Sequence, residues 1–332
     1  MTGERSGERR GEIGIVVVRD LRHRYGERVA LDGVSFEVER GERFAFLGPN
    51  GGGKSTTFRI LSTLMRPTSG EVAIAGHDLR AESAAIRRRL GVLFQAPSLD
   101  RHLTAHENLL HQGWLYGLKG ADLAARVRSR LDFVGLLDRA GDRVETLSGG
   151  QRRRVEIAKA LLHDPEVLLL DEPSTGLDPG ARRDLWERLT ALRDRDGTTA
   201  LVTTHFIDEA ERCERVAVLD QGRIVALGTP AELRATIGGD LVRVAGGEGE
   251  PQALATEIAN ALAVATSVVD EEVRVETPEA PAFVARLFAA LPPGRIDRVT
   301  IAKPTLEDVF VRLTGRRLDD EAPHQAAGEA AA

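Results

Sequence analysis

Four short, largely apolar runs divide the first two-thirds of the chain, and each ends at a polar residue. RFAFL (43–47) runs into a glycine-rich loop, LGVLF (90–94) into Gln95, EVLLL (166–170) into Asp171 and Glu172, and ALVTT (200–204) into His205. Continuously apolar runs of this length predict strands buried on both faces, as in a parallel sheet. From Ile15 to about Leu233 such runs alternate with patterns of helical period, which is the form of an α/β sheet with helices on its faces. Ligands of open parallel sheets sit beyond the carboxyl ends of the strands. The four strand ends would therefore gather a lysine, a serine, a glutamine, two carboxylates and a histidine around one place.

Between Ala96 and about Arg143 the period turns helical, in TAHENLLHQGWLYGL and then DLAARVRSRLDFVGLL. This predicts a helical insert between two sheet strands, reaching about residue 160 with the helix that follows. After GTPAEL (228–233) a smaller unit begins. DLVRVA, PQALATEIANALA, TSVVD, EEVRVET, EAPAFVARLFAAL and RIDRVTIAK read as β-α-β-β-α-β, the ferredoxin-like order, followed by a helix in TLEDVFVRLTG (305–315). The predicted organisation is a main domain over 15–235 and a small α+β domain over 236–316. The flanking 1–14 and 317–332 are charged or small-residue stretches without period and read as disordered.

A length of 332 residues agrees with two domains. The formal charge of −6 argues against a dominant nucleic-acid surface, so no nucleic-acid partner is expected. No apolar run approaches the ~18–20 residues of a membrane span, and the first residues lack a signal-peptide core, so a soluble chain is expected. The single cysteine, Cys213, lies in a charged helical pattern and reads as an incidental surface thiol in a reducing, cytosolic setting. Lysines are few (Lys54, Lys119, Lys159 and Lys303), so one inside a glycine loop stands out.

That loop, GPNGGGKS (48–55), fits G-x-x-x-x-G-K-[ST], in which glycines let backbone N–H groups wrap phosphate oxygens and the next helix offers its positive end. Lys54 would reach the β- and γ-phosphates and Ser55 would ligate Mg²⁺. Asp171 follows four apolar residues at the mouth of a buried strand, where a carboxylate is costly unless a metal or hydrogen bonds offset it. Mg²⁺ is the economical account. Glu172 would then stand beside the γ-phosphate, placed to orient and deprotonate an attacking water. Gln95 can offer its amide oxygen to Mg²⁺ or water, and His205 can donate to the γ-phosphate; each is a weak signal by itself, and their shared place at strand ends strengthens both.

A second glycine turn, LSGGQ (147–151), raises a question that the first does not answer. Ser148 and Gln151 have capping-box spacing at the start of a helix with the apolar stripe Val155, Ala158, Leu161 and Leu162. The turn is therefore open to a plain structural reading as a helix start. The glycine pair goes unexplained by that reading, since it costs backbone entropy unless close approach or unusual dihedrals are needed. An anion site fits both facts. Arg152, Arg153 and Arg154 after it read as a solvated helix face.

The ordered set GPNGGGKST, Gln95, LSGGQ, VLLLDEPSTGLD and TTH resembles the ATP-binding subunits of ABC transporters over nearly all of residues 15–235. The resemblance implies a P-loop NTPase fold of ABC type, a mixed sheet with an antiparallel β-subdomain and a helical insert. It implies ATP and Mg²⁺ as cofactors, and nucleotide domains paired head to tail with ATP between the glycine loop of one subunit and the LSGGQ turn of the other. One copy of each motif in this chain agrees with a need for a second chain. The resemblance further implies that Tyr25 stacks on adenine and that Gly48, Pro49, Asn50, Gly51, Gly52, Gly53, Lys54, Ser55 and Thr56 hold the phosphates. Ser148, Gly149, Gly150 and Gln151 would serve the partner's γ-phosphate, and Asp178 would link the two sites. Departures are small: Gly52 stands where many relatives have alanine, and Ser174 replaces a frequent threonine.

KPTLEDVFVRLTGR (303–316) looks like the tail of drug- and antibiotic-exporter ATPases of the daunorubicin-resistance type. Those work with a separate permease of the ABC-2 class, which implies a homodimeric motor peripheral to the cytoplasmic face of the cell membrane. Whether the C-terminal domain regulates or simply extends the dimer interface stays open. An importer is the nearer alternative, opposed only by the tail. ABC ATPases that act on ribosomes or DNA form another class, usually marked by a second ATP-binding domain, a coiled coil or zinc-binding cysteines, which this sequence lacks. A purely regulatory ATP switch is disfavoured by the intact Asp171, Glu172 and His205.

Overall fold

The computed structural model describes residues 14–246 and 250–318. The predicted disordered ends lie outside the described residues except for Gly14, Arg317 and Leu318. Of these, Leu318 is buried and Arg317 pairs with Asp270.

The chain opens with β1 (Val16–Tyr25), β2 (Arg28–Val38), β3 (Arg43–Leu47), α1 (Lys54–Leu61), β4 (Ser69–Ile74), β5 (His77–Asp78), α2 (Ser83–Arg87) and β6 (Leu90–Leu93). Next come α3 (Ala105–Leu115), α4 (Gly120–Phe133), α5 (Gly149–Ala160), β7 (Val167–Asp171), α6 (Pro179–Asp196), β8 (Thr199–Thr204) and α7 (Ile207–Ala210). The rest comprises β9 (Arg215–Asp220), β10 (Arg223–Gly228), α8 (Pro230–Ala235), β11 (Asp240–Gly246), α9 (Pro251–Leu262), β12 (Ser267–Val269), β13 (Glu272–Thr277), α10 (Ala280–Ala290), β14 (Ile296–Ala302) and α11 (Leu306–Thr314). These elements form two compact units, one of residues 14–46, 53–204 and 221–223, the other of 47–52, 205–220 and the described residues from 224 onward.

In the first unit, β2, β1, β4 and β5 form an antiparallel sheet in that order. Leu31, Val34, Phe36 and Val38 of β2 are buried while alternate neighbours face outward, as expected of a half-buried strand. β3, β8, β7 and β6 lie side by side in that order, with β6 parallel to β7 and β7 parallel to β8. Val167 to Leu170 and all of β8 are buried, which accounts for the lack of polar alternation in these runs. Phe36, Phe44 and Phe46 meet with ring centroids 5.1 to 5.5 Å apart, and each such side chain contributes roughly 1.5–3 kcal/mol by burial. The predicted helical insert is present as α3, α4 and α5, which pack on one another between β6 and β7 in sequence. α3 starts at a capping box of Thr104 and Glu107.

In the second unit, β12, β13, β11 and β14 form an antiparallel sheet in that order, the arrangement of the predicted ferredoxin-like unit. Val242, Val244, Val273 and Val275 bury one face against Leu254, Ile258, Phe283 and Leu287 of α9 and α10. On β11 and β13, Arg243 and Arg274 reach Asp308 of α11 at 2.8 and 3.1 Å. Cys213 corrects the sequence expectation of a surface thiol. It is 4% exposed, and its Sγ donates to Glu209 O at 3.5 Å.

Candidate functional site

The side chains at the ends of β6, β7 and β8 form one hydrogen-bonded group. Thr203 Oγ1 donates to Asp171 Oδ1 at 2.6 Å and accepts the Glu172 N–H at 3.0 Å. Glu172 Oε2 accepts from Gln95 Nε2 at 3.3 Å and from Thr175 Oγ1 at 3.1 Å. The Gln95 amide nitrogen is thus directed to Glu172, which leaves its oxygen for a ligand. Glu172 has φ 43°, a left-handed backbone that costs a non-glycine residue about 1–3 kcal/mol and persists only where the surroundings over-determine it. Thr203 and Thr175 were missed in the sequence. Thr203 had a signal, a hydroxyl near the end of an apolar run, and the structure pairs it with Asp171 across β7 and β8.

Lys54 is the first residue of α1 and is 4% exposed. Burial pulls its ammonium below the usual lysine range, against the opposing charges of Glu172 and Asp171. Burial likewise raises the Asp171 carboxyl, while the Thr203 hydrogen bond and the Lys54 charge work the other way. An ammonium and a carboxylate that both resist charging in the same place suit a ligand carrying phosphate and a cation. Ser55 beside them is exposed and Thr56 half-buried. Among the described residues no group of three or more His, Cys, Asp or Glu could hold a metal ion by itself. Mg²⁺ is commonly bound through one or two carboxylates together with substrate phosphates. Ser55, Asp171 and Gln95 would supply the protein oxygens.

The loop before α1 is shaped by its glycines. Gly53 caps the helix at φ 112°, and a Cβ there would come within 2.9 Å of Leu31 Cδ2. In the second unit a Cβ on Gly48 would lie 2.1 Å from Leu219 O, so no side chain fits. Gly52, the departure from alanine, leaves 3.0 Å to Leu219 O and 3.1 Å to Pro49 O. Pro49 is buried, while Asn50 and Gly51 are exposed. His205, in the same unit, follows β8 and packs its ring on Phe206 at 4.0 Å. Tyr25 is 42% exposed, with its ring edge-on to His23 at 4.7 Å.

The LSGGQ turn forms the predicted capping box: Ser148 Oγ accepts the Gln151 N–H at 3.2 Å, and Gln151 Oε1 accepts the Ser148 N–H at 2.8 Å. Neither glycine of the pair has a positive φ, and a Cβ on Gly149 would meet nothing within 4 Å. Among the described residues no dihedral or close packing asks for glycine there. Asp178 caps α6 by accepting the Gly180 and Ala181 N–H groups at 3.0 and 2.9 Å, with Pro179 at the first helical position. Gln95, Gly149, Arg152 and Glu172 all line one cleft of about 370 Å³.

The arginine run departs from the predicted solvated face. Arg152 donates to Leu147 O at 2.8 Å, Arg154 to Val134 O at 3.4 Å, and Arg153 is buried.

Residues 31–175 match the family model described as ABC transporter, and residues 228–314 match that of the ATP-binding protein DrrA1-3-like, C-terminal domain. The Nod factor export ATP-binding protein I of Paraburkholderia xenovorans (strain LB400) is 43% identical over 299 residues, 89% of this chain and 95% of that protein. The linearmycin resistance ATP-binding protein LnrL of Bacillus subtilis (strain 168) is 36% identical over 307 residues, 91% of this chain and 98% of that protein. Among solved structures, the dimeric post-hydrolysis state of the ATP-binding cassette MJ0796 bound to ADP and Pi shares 32% identity at a TM-score of 0.59. That likeness covers 64% of this chain and 98% of MJ0796.

Proposed function

The chain belongs to the ABC transporter family as an ATP-hydrolysing, ATP-binding subunit, and on that premise we propose that it is the motor of a drug or antibiotic exporter. It works as a head-to-tail homodimer with ATP and Mg²⁺ on the cytoplasmic face of the cell membrane, and drives a separate permease of the ABC-2 class. Among the described residues no helix is long and apolar enough to cross a membrane. The ATP-binding domain spans 15–235, with its helical insert over about 96–160, and the C-terminal domain spans 236–316.

The observation that carries the reading is the Gln95–Glu172–Thr203–Asp171 group beside buried Lys54. Lys54 neutralises the β- and γ-phosphates. Glu172 accepts a proton from water as the water oxygen attacks the γ-phosphorus and ADP leaves. Ser55, Gln95 and Asp171 would hold Mg²⁺, which would spread the charge of the phosphates. Gly48 to Thr56 cradle the phosphates, Tyr25 stacks on adenine and His205 donates to the γ-phosphate. The unfilled space over Gly149 supports the assignment of Ser148, Gly149, Gly150 and Gln151 to the partner's ATP, since the pair is small for no reason internal to the chain. Asp178, at the start of α6, links the two sites. ATP closes the dimer and hydrolysis reopens it, which shifts the permease between two access states. The DrrA1-3-like domain and the relatives named for Nod factor export and linearmycin resistance support export.

The test is to capture tagged Glu172→Gln protein with ATP and Mg²⁺ from gently solubilised native membranes. Recovery of a multi-spanning permease without an ATPase of its own supports the exporter. Recovery of ribosomes, nucleic acid or soluble proteins in its place overturns it.

A further inference from the structure

The guanidinium of Arg153 gathers the backbone behind the catalytic group. Its Nε donates to Pro173 O at 2.9 Å, and its Nη1 to Phe94 O at 2.7 Å and to Glu156 Oε2 at 3.0 Å. Its Nη2 donates to Asp171 O at 3.1 Å and Glu172 O at 3.3 Å. One side chain thus binds the carbonyl before Gln95 and those of the acidic pair and the proline after it. Two more residues of the same helix, one and two turns further on, hold the other end of the Gln95 loop. Glu156 Oε1 accepts the Ser98 N–H at 2.7 Å, and Lys159 Nζ donates to Ser98 O at 2.6 Å.

We propose that Arg153 is a positioning residue for ATP hydrolysis, which holds Gln95 and Glu172 in register and ties both to the helix that begins at the LSGGQ turn. The proposal rests on the reading of Glu172 as general base. Glu172 sits at φ 43°, and a backbone in that region stays only where it is held from both sides. Thr203 holds its N–H and Arg153 its carbonyl. Carbonyls at the ends of strands have no further ladder partner, and a planar, permanently charged donor satisfies several together. A lysine offers a point charge without that fork. As a consequence, any displacement of the LSGGQ turn by a partner's nucleotide moves Gln95 and Glu172 of the same chain.

The test is steady-state ATPase activity of the full-length chain, with rates normalised to titrated ATP-binding sites so that misfolded protein does not count. Arg153→Met is expected to lower kcat about tenfold or more with KM for ATP within about threefold, and Arg153→Lys to fall between it and the parent. Added to Glu172→Gln, Arg153→Met is expected to cost a smaller factor than it does in the parent, because the part of its effect that runs through Glu172 is already lost. A normalised kcat within about twofold of the parent, or the same fold loss in both backgrounds, overturns the proposal. If Arg153→Met does not fold, Arg153→Lys and Glu156→Gln carry the same comparison at nearly conserved volume. The Glu172→Gln variant by itself separates the two readings. Turnover at the parent rate there removes the general base, and with it the route proposed for Arg153.

Discussion

Gln95 Nε2 donates to the same oxygen of Glu172 that accepts from Thr175 Oγ1, at 3.3 and 3.1 Å. Two neutral donors therefore converge on one oxygen of the proposed base. In Glu172→Gln the amide oxygen can still accept both bonds, so geometry is kept while basicity is lost. The expected outcome is a kcat lowered by about 10²–10⁴ with ATP affinity retained. Size-exclusion chromatography with ATP is expected to show an accumulated dimer that the parent protein does not keep. Parent-rate turnover would remove the base assignment.

Gly149 allows stability and activity to be separated. It is the first residue of α5, its φ is not positive, and a Cβ would meet nothing within 4 Å. In Gly149→Ala the single chain is expected to be as stable as the parent, or more stable by up to about 1 kcal/mol, through a less flexible unfolded state. ATPase activity is expected to drop about tenfold or more if a partner's phosphate fills that space. Thermal melting and ATPase assays on one preparation check both halves. Unchanged activity would mean that nothing approaches the glycine.

Asp308 stabilises the C-terminal unit through two guanidiniums, that of Arg274 buried and that of Arg243 half-buried, with side-chain exposures of 2% for Asp308 and 5% for Arg274. Burial already pulls Arg274 below its usual range. Asp308→Ala leaves both cations uncompensated and removes the capping box of α11, so a loss of about 3–5 kcal/mol is expected. Urea unfolding of the full chain is the measurement. Replacing Asp308 and Arg274 together by leucine and methionine is expected to recover much of the loss, because no unpaired charge at Arg274 then remains.

His163 makes part of the stability depend on pH. Its ring stacks on Tyr116 at 3.8 Å, and its Nε2 donates to Leu90 O at 2.9 Å. Burial holds the imidazole below its ordinary pKa; the Leu90 bond and Asp164 oppose this, and Arg126 and Arg130 reinforce it. The unfolded chain then binds the proton more readily, so stability rises with pH in this window. The contribution is whole above the unfolded histidine pKa of about 6.5 and is lost as pH falls through the lower folded value. Urea midpoints from pH 7.5 down to pH 5 are expected to decline less in His163→Gln than in the parent. Parallel curves would rule out His163 as the titrating group.

What the sequence disclosed follows from how local each signal is. β3, β6, β7 and β8 were legible within a residue because a strand buried on both faces writes itself as an apolar run, and the ligand-facing group follows at its end. The ferredoxin-like order was legible for the same reason, as alternating short periods. Arg153 was not, because its partners Phe94, Asp171, Glu172 and Pro173 lie about 20 to 60 residues away in sequence and present only carbonyls, which carry no residue signature. A signal did exist. Arg153, Glu156, Ile157 and Ala160 share one helical face, and an arginine three residues before a glutamate on an apolar face is a buried pair more readily than a solvated one. The glycine pair of LSGGQ has no account in the dihedrals or contacts of the described residues, and the partner's ATP proposed above would supply one.

The burial of Cys213 makes the folded chain a blank background for thiol chemistry. The sole sulfhydryl is 4% exposed, so a maleimide or bifunctional reagent meets no accessible native target. Cysteines introduced at exposed Ser148 and Asn50 would then be the only reactive pair. A covalent dimer formed between them in the presence of ATP would report the head-to-tail arrangement directly, without the native thiol having to be removed first.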